Sequence, residues 1–535
     1  MADDPENTSP SESAAEDAGM GAAIDVPHRE VHVPALNHKL ITASVMAATI
    51  MQAIDSTIAN VALPKMQGTL SATQDQMSWV LTSYIIAAAI MIPLTGWLAG
   101  RFGRKKVFLI SIVGFTIASA LCGMAGTLPE IVLFRLLQGM CGAALVPLSQ
   151  AILFDINRPE DFGKAMALWG VGVTMGPILG PALGGWLTEN YSWRWVFYIN
   201  VPIGILAFLG LSASMPDTEK HNNRFDFFGF ISLSFGLGAL QLMLDRGELK
   251  DWFSSPEIVI ECLVMSMAFY LFIVHTLTYE RPFLSPALFK DQNFVAGNVF
   301  IFLIGVVLFA TLALVPPMLQ NEMGYPVVTT GLITAPRGAG TMLAMMVVGR
   351  LSGKVDARLI MAAGLSLTAF SLWQMTHFSL LMGERPIIVS GVLQGFGIGF
   401  SYVPLSTLAF GTLPSSLRNE GTSFFNLLRN IGSAIGISVV QTLLTRNTQI
   451  MHAHLAEHVT PYNLDDPMYT SIHINPASTA GLAGLNGIIT NQAAIIAYID
   501  DFKLMMMITL AVIPLLLFLR QPKYKPDSQH AAVMD

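Results

Sequence analysis

The sequence predicts an all-α polytopic membrane protein. Hydrophobic residues make up 53% of the 535 residues and charged residues only 12%, against about 25% charged residues in ordinary globular domains. The mean hydropathy is +0.56. Segments of about 20 apolar residues recur along the chain, and each could cross a hydrocarbon core of about 30 Å. An ordinary soluble protein is therefore excluded, the lipid bilayer is the expected environment, and no nucleic-acid partner is expected.

The N-terminal tail differs from the rest of the chain. Residues 1–37 contain eight acids and one clear cation, Arg29, and they lack the basic start and apolar core of a signal peptide. Such a composition is typical of a disordered segment. Residues 1–37 are therefore predicted to form a disordered acidic cytoplasmic tail, which accounts for most of the net charge of -7.

Fourteen membrane spans are predicted in the remaining chain. Lys and Arg are enriched in cytoplasmic loops. With the N-terminus inside, the inner loops and C-terminal tail contain 17 of these residues and the outer loops seven. Both termini are therefore predicted to be cytoplasmic. The predicted spans are 40–63, 77–99, 107–127, 131–153, 165–187, 195–213, 226–244, 257–278, 294–317, 327–349, 358–377, 386–410, 421–444 and 502–520.

An internal repeat relates two parts of the chain. The segment GWLAGRFGRKK at 96–106 recurs as GRLSGKVDAR at 349–358. The pair LQG and VPLS, within 137–149, recurs within 393–406, and the offsets are 253 to 257 residues. Parallel repeats of this kind are typical of transporters that bind their substrate near the midplane between the two halves. A duplicated structural bundle is the alternative.

The repeat also predicts the domain organisation. Residues 38–213 form an N-terminal six-helix bundle, and residues 291–520 form a C-terminal one that includes a long outer loop, 445–501. Two inserted helices with their linkers occupy 214–290. Residues 521–535 form a second cytoplasmic tail.

Four motifs resemble the major facilitator superfamily, and within it the 14-helix drug:proton antiporter branch of the EmrB/QacA type. AIDSTIANVALP at 53–64 resembles the first-helix signature of the branch, and GWLAGRFGRKK resembles the superfamily loop between helices 2 and 3. RLLQGMCGAALVP at 135–147 resembles the fourth-helix motif. GVTMGPILGPALGG at 172–185, followed by WRWVFYINVPIG at 193–204, resembles the antiporter motif of helix 5 and its exit. The resemblance covers residues 38–520 and implies the major facilitator fold, with two six-helix bundles and two inserted central helices.

The resemblance implies roles for two of these motifs. The loop motif is expected to take part in gating through Gly96, Arg101, Gly103, Arg104 and Lys105. Gly100 stands where the family usually has an acid. The helix 5 motif is expected to support antiport through Gly172, Gly176, Pro177, Gly180, Pro181, Gly184 and Gly185. Glycine and proline allow close helix approach and a bend, so helix packing alone is the alternative for this motif, and a topology anchor is the alternative for the basic loop.

An acid, Asp55, lies inside the first predicted span, in MQAIDSTIANVALP. An ionised acid at the centre of a membrane helix costs about 2.5–3.5 kcal/mol on insertion scales, so such residues usually face a cavity and have a function. At 1.5 Å per residue, Asp55 lies about 12 Å and Arg135 about 7 Å from the outer ends of their spans, so the two could face each other. A nearby cation favours the carboxylate, whereas burial favours the neutral acid. Asp55 is therefore predicted to couple transport to protons under the influence of Arg135, with a static ion pair as the alternative.

The expected function is proton-driven efflux of hydrophobic or amphiphilic toxic compounds across the inner membrane. The chain contains no GxxxxGK[ST] motif, so the proton gradient is the expected energy source and no cofactor is expected. A stand-alone exporter or an importer of a specific metabolite is an alternative. A membrane enzyme is a further one, and its only histidine cluster would be His452, His454 and His458 in the long outer loop.

The charges inside the spans predict the substrate class. Arg337 and Arg429 lie in spans of the C-terminal half, where no interior acid is evident, so the whole chain has one interior acid against three arginines. Neutral or weakly anionic amphiphiles are therefore expected in preference to quaternary ammonium dications. The residues expected to bind substrate are Gln138, Arg337, Asn426 and Arg429.

The long outer loop, 445–501, predicts a partner. Exporters on the EmrB side of the branch work with a periplasmic adaptor (EmrA-like) and an outer-membrane channel (TolC-like), whereas those on the QacA side work alone. A connection of this length is usually functional or disordered. Its second half, 481–500, resembles a helix that lies at the membrane surface on its apolar side. The loop is therefore predicted to dock an adaptor, with a lid over the outer mouth as the alternative.

Overall fold

The computed structural model describes residues 35–217, 225–459 and 478–520. Within these ranges the chain forms fourteen long helices and no strand. Two of them are interrupted: α4 consists of Leu128–Gly142 and Leu145–Ile156, and α6 begins with the short segment Trp195–Tyr198. The helices are α1 Ala35–Leu70, α2 Gln74–Phe102, α3 Arg104–Met124, α4 Leu128–Ile156, α5 Phe162–Asn190, α6 Trp195–Ser214, α7 Phe227–Arg246, α8 Pro256–Thr278, α9 Gln292–Pro317, α10 Val327–Leu351, α11 Ala357–Met375, α12 Glu384–Gly411, α13 Arg418–Glu457 and α14 Thr479–Val512.

The all-α polytopic architecture predicted from the sequence is confirmed. In the described part of the chain, 13 helices are long and apolar enough to cross a membrane. The predicted span 358–377 corresponds to α11, which has 19 residues and carries Arg358 and Gln374 near its two ends. These polar ends make α11 less apolar than its neighbours.

Several predicted segments lie outside the described residues. They are residues 1–34 of the acidic tail, 218–224 of the linker after α6, 460–477 of the long outer loop, and the C-terminal tail, 521–535.

Polar side chains fix the starts of several helices. Thr73 begins α2 with a capping box, because its hydroxyl accepts a hydrogen bond from the backbone N–H of Gln76 while the Gln76 side chain accepts one from the backbone N–H of Thr73. Thr127 and Glu130 form the same arrangement at the start of α4. Each box satisfies two backbone donors that the first turn leaves without helical partners. The two caps fix the residues at which α2 and α4 begin.

The described parts of the long outer loop, 445–459 and 478–501, are largely helical, which corrects the prediction for its second half. Residues 481–500 do not form a separate helix at the membrane surface, because they are the first turns of α14. The end of α13 packs against them, and His452 Nε2 lies 2.9 Å from Asn486 Oδ1. At 1.5 Å per residue the 40 residues of α13 extend about 60 Å, twice the hydrocarbon thickness of about 30 Å. The end of α13 and the start of α14 therefore form a paired helical segment, here called the hairpin. Its length leads us to expect that it projects beyond the hydrocarbon core.

This hairpin distinguishes the two faces of the molecule. We call the face from which it projects the hairpin face. The opposite face, where α1 begins and α14 ends at Val512, is called the terminal face. Asn293 at the start of α9 also lies at the terminal face, because its side-chain nitrogen donates to the backbone oxygen of Arg520 at 2.7 Å.

Buried apolar residues of the two halves pack together towards the terminal face. One large apolar cluster there contains residues from both halves, and Phe154 on α4 meets Phe410 on α12 with ring centroids 5.1 Å apart. Towards the hairpin face the described residues form separate clusters. One surrounds Ile58 in the N-terminal half, and another surrounds Phe502 in the C-terminal half.

The inserted helices lie against the N-terminal half. The α7 helix packs on α2, and the Thr82 hydroxyl contacts the Asp245 carboxylate between them. The α8 helix packs on α7, where Gly236 faces the ring of Phe269. Only Ile258 and Ala268 of α8 are buried, so most of this helix faces outward, where a membrane protein meets lipid.

Candidate functional site

The side chain of Asp55 lies at the centre of a polar network in the N-terminal half. It is 0% exposed, and its partner Arg135 is 1% exposed. The Arg135 Nη1 donates to Asp55 Oδ2 at 2.8 Å. Gln138 Nε2 and Asn200 Nδ2 both donate to Asp55 Oδ1, each at 2.8 Å. Three helices, α1, α4 and α6, thus converge on one carboxylate.

A second layer holds these donors in place. The Nε of Arg135 donates to the backbone oxygen of Val80 at 3.2 Å, and its guanidinium lies 4.2 Å from the ring centroid of Tyr84. Asn200 also donates to the Ser119 hydroxyl at 3.0 Å. The charged pair is therefore held by α2 and α3 as well.

This geometry gives the pair two properties. The carboxylate accepts hydrogen bonds from one buried cation and two amide groups, and these donors can compensate a negative charge on a side chain that is 0% exposed. Adding a proton would remove the charge that balances Arg135, and removing one member of such a buried pair costs about 3–5 kcal/mol. Loss of either charge would therefore destabilise the junction of α1, α4 and α6.

The sequence prediction for this network was incomplete. Asp55 and Arg135 were expected to face each other, and the structure places them in contact. Gln138 was expected to bind substrate, but it is fully buried and both ends of its amide belong to the Asp55 network. Asn200 and Ser119 were not singled out. The signal for Asn200 was available, because it interrupts the apolar span after WRWVFYI.

The helix 5 motif forms a surface that α1 approaches closely. A Cβ added to Gly176 would lie 2.2 Å from the Ala53 carbonyl oxygen, and one added to Gly180 would lie 2.1 Å from Thr57 Oγ1. The Thr57 hydroxyl donates to the backbone oxygen of Gly176 at 3.0 Å. The remaining motif glycines are Gly172, which faces Met46, Gly184, which faces Ile58, and Gly185, whose nearest neighbour atom would be 3.9 Å away.

This contact positions the acid. Ala53 and Thr57, which flank Asp55 on α1, face the glycines of α5, while Asp55 itself faces α4 and α6. The prolines of the motif, Pro177 and Pro181, lie within α5. The antiport motif of α5 and the Asp55 network therefore contact two different sides of α1.

The predicted gating loop joins the two halves at the terminal face. Arg104 and Arg418, from opposite halves, both pair with Asp155 at the end of α4, and the Arg418 Nη1 to Asp155 Oδ1 distance is 3.4 Å. A Cβ on Gly96 would lie 3.0 Å from Glu420 Cα, so α2 and α13 nearly touch there. The other loop residues are Gly103, with φ 90°, Lys105, which lies 3.7 Å from Asp217 Oδ1, and Arg101 at the end of α2.

Neutral polar contacts extend this junction between the halves. The Asn426 side chain donates to Gln150 Oε1 at 3.1 Å, and the hydroxyls of Thr95 and Ser423 lie 2.8 Å apart. Asn426, expected to bind substrate, is therefore placed in the junction. The contacts between the halves at the terminal face close this conformation there. Near the hairpin face, each of the two apolar clusters belongs to one half.

The two interior arginines of the C-terminal half lie near mid-depth. Arg337 lies in the middle of α10, and its Nη2 donates to the Leu308 backbone oxygen at 3.3 Å. Arg429 lies on α13 beside Tyr402. The ring of Tyr402 stacks on Trp169 of the other half, with centroids 5.9 Å apart. Both arginines are partly exposed.

Two expectations about other charged residues are corrected. The C-terminal half does contain a buried interior acid, because Asp501 on α14 is 1% exposed. The sequence placed Asp501 in the outer loop, one residue before the predicted span. His452 and His454 lie on the helical end of α13, and the described residues hold no group of His, Cys, Asp and Glu that could bind a metal.

The chain is similar to known proteins over most of its length. The model of the Major Facilitator Superfamily matches residues 45–437. The fatty acid resistance protein FarB of Neisseria gonorrhoeae is 36% identical over 497 residues, which is 92% of this chain and 97% of FarB. The multidrug export protein EmrB of Escherichia coli strain K12 is 36% identical over 488 residues, which is 90% of this chain and 95% of EmrB.

Two solved structures share the fold at 13% sequence identity. The proton:xylose symporter XylE has a TM-score of 0.57, with 90% of this chain and 96% of XylE covered. The human organic anion transporter MFSD10 has a TM-score of 0.55, with 90% and 100% covered. These likenesses confirm the predicted major facilitator fold and carry no information on substrate. The chain is therefore a transporter rather than an enzyme, and it belongs to the Major Facilitator Superfamily, on its EmrB-like branch.

Proposed function

We propose that this protein exports small hydrophobic or amphiphilic toxic compounds across the inner membrane in exchange for protons. The observation that carries the proposal is the Asp55–Arg135 pair, which is fully buried at the convergence of three helices. Buried ionisable residues in membrane proteins are costly and usually serve transport or proton transfer. The names of two relatives, a multidrug export protein and a fatty acid resistance protein, support export as the direction.

In an alternating-access cycle, the observed conformation, which is closed at the terminal face, would be one of the two end states. The loop bias in Lys and Arg supports a cytoplasmic position for the terminal face and both termini. The present conformation then has its cytoplasmic side closed by Asp155, Arg104 and Arg418. A proton that reaches Asp55 from the outer side weakens its attachment to α4 and α6. The bundles can then rearrange, and the proton is released when the cytoplasmic side opens.

The proposed substrates are neutral or weakly anionic amphiphiles. Arg337 and Arg429, both partly exposed near mid-depth, offer positive charge to an anionic head group. Asp501 does not reverse this balance, because it lies 18 residues, about 27 Å, from Leu519 and so near the hairpin face. FarB, a protein named for fatty acid resistance, is a relative whose name fits a lipophilic acid as substrate.

The proposal predicts gradient-driven uptake into vesicles. In proteoliposomes with the hairpin face inside and an acidic interior, a fatty acid of medium chain length should accumulate and the pH gradient should fall faster than in protein-free vesicles. A quaternary ammonium dication should accumulate less. Accumulation with an undiminished gradient would contradict proton antiport, and stronger accumulation of the dication would contradict the substrate class. The protein-free vesicles report the passive leak that lipophilic acids cause.

We further propose that the hairpin docks a periplasmic adaptor (EmrA-like) and thereby an outer-membrane channel (TolC-like). The hairpin projects beyond the membrane, and Ile450, Leu482 and Ile488 are exposed on it. Exposed apolar side chains on a projecting element are typical of protein interaction sites. The alternative interpretation is that the hairpin forms a lid over the outer mouth.

Shortening the hairpin should distinguish adaptor docking from the lid. His452 contacts Asn486, so replacing 449–489 with a short Gly-Ser turn removes equal lengths of both arms and keeps the register of α13 and α14. We expect transport in vesicles to persist, while adaptor binding and whole-cell resistance are lost. A variant with polar substitutions only at Ile450, Leu482 and Ile488 is the matched control. It keeps the pairing of the two helices and removes only the exposed apolar side chains. Loss of vesicle transport with intact adaptor binding would favour the lid.

A further inference from the structure

Asp501 is a buried acid without a visible partner. Its side chain is 1% exposed, and neither carboxylate oxygen has a hydrogen-bond partner. The neighbouring acid behaves differently, because Asp500 is 39% exposed and lies 3.1 Å from the Lys503 ammonium. Lys503, the nearest cation on the same helix, thus pairs with the exposed Asp500. The buried Asp501 is left without a counter-charge from this helix.

The surroundings of Asp501 contain a second acid and no paired cation. Its helix, α14, packs against α9, α11 and α13. On the turn after α9, Glu322 interacts electrostatically with Tyr498, which also interacts with Asp501 one turn further along α14. The titratable groups at this level of the other two helices are Arg446 on α13, which is exposed, and His377 after α11, whose ring contacts the Trp373 backbone oxygen. Among the described residues, none forms an ion pair with Asp501.

The turn that carries Glu322 is itself irregular. Met318–Glu322 forms a π-helical turn after the two prolines that end α9. Such turns are rare and frequently occur at functional sites. Buried Met318 and Leu319 pack with Tyr498 and Phe502 of α14. A movement of this turn would therefore change the environment of Asp501.

An ionised carboxylate cannot remain in such a place without compensation. Transferring an isolated charge into an apolar interior costs several kcal/mol even after relaxation, and buried polar groups in proteins are almost always satisfied. The compensating species must be small enough to reach a side chain that is 1% exposed. The described residues hold no group of three or more His, Cys, Asp and Glu side chains that could bind a metal ion, which disfavours a metal ion at Asp501.

We propose that Asp501 is a second proton-binding site of this protein, separate from Asp55. A proton from water on the hairpin face adds to one carboxylate oxygen and gives a neutral carboxylic acid, which can remain buried. The same proton leaves when the turn Met318–Glu322 moves and water reaches the side chain. Asp55 pairs with Arg135 in the N-terminal half, while Asp501 holds a proton in the C-terminal half. Only the use of this second proton in transport rests on the proposed function.

Infrared spectroscopy tests the protonation directly. The C=O stretch of a protonated carboxylic acid is resolved from carboxylate and amide bands. At neutral pH the difference spectrum between the wild-type protein and Asp501→Asn should show the loss of one protonated-acid band. The Asp500→Asn variant is the matched control, and its spectrum should keep the band. An unchanged band in Asp501→Asn would overturn the proposal. If Asp501→Asn does not fold, the band should shift in frequency in Asp501→Glu, and an unshifted band would overturn it equally.

Proton counting in proteoliposomes tests the coupling. The number of protons moved per substrate should fall by one in Asp501→Asn, while Asp500→Asn keeps the wild-type number. An unchanged number in Asp501→Asn would overturn the coupling role. If wild-type protein shows the infrared band but no proton-coupled transport, the proposed function fails while the proton-binding site stands.

Discussion

Asp55→Asn is expected to abolish proton-driven transport. Asparagine keeps the size of aspartate and can still accept hydrogen bonds from Gln138 and Asn200, but it can neither bind nor release a proton. The substitution also leaves the guanidinium of Arg135 buried without its counter-charge, which is expected to cost about 3–5 kcal/mol of stability. Substrate accumulation in vesicles with an imposed pH gradient measures the first effect, and thermal unfolding in detergent measures the second.

A double variant separates coupling from structure. In Asp55→Asn combined with Arg135→Gln both charges are removed, so no buried ion is left unpaired and much of the lost stability should return. Transport should remain absent, because the titratable group is still missing. If the double variant transports substrate against its gradient at the wild-type rate, the pair is a static link between α1 and α4 and the coupling role is wrong. Asp55→Glu, which keeps the carboxylate, should retain part of the activity.

The pairing of Asp55 with Arg135 could be predicted because charges are rare in apolar spans. Each stood out in a helix of known approximate depth, and two opposite charges at similar depth have few other partners. The rest of the network could not be predicted in this way. Asn200 and Ser119 are neutral, and neutral polar side chains in membrane helices can also bond to their own backbone. Only the packing of α3 against α6 decides that they support Asp55.

The hairpin and Asp501 were missed for one common reason. Hydropathy locates the apolar part of a helix, but it does not show whether the helix continues into water. The apolar run of the last span begins after Asp501, so the acid was assigned to a loop, although α14 starts at Thr479. The pairing of α13 with α14 sustains both helices outside the membrane, and such tertiary contacts outweigh local composition. The burial of Asp501 follows from that continuity.

Gly176→Ala is expected to have the second large effect, because it adds the smallest possible side chain where the motif glycines of α5 come closest to the backbone of α1. The new Cβ would lie 2.2 Å from the Ala53 carbonyl oxygen, and a backbone atom cannot be moved aside by changing a rotamer. The helices must separate, which costs about 1–3 kcal/mol for an overpacked interior. Asp55, two residues from Ala53, then loses its alignment with Arg135. Transport in vesicles should fall close to the background of Asp55→Asn.

Two matched variants make this expectation specific to the contact. Gly185→Ala lies on the same helix, where the nearest neighbour atom to a new Cβ is 3.9 Å away, so it should transport like the wild type. Gly180→Ala would meet the Thr57 hydroxyl at 2.1 Å, which is a side-chain atom, so adding Thr57→Ala should restore part of its activity. No side-chain change at Ala53 can relieve Gly176→Ala, because the obstacle is a carbonyl oxygen. Wild-type transport by Gly176→Ala would show that the glycines of α5 do not position Asp55.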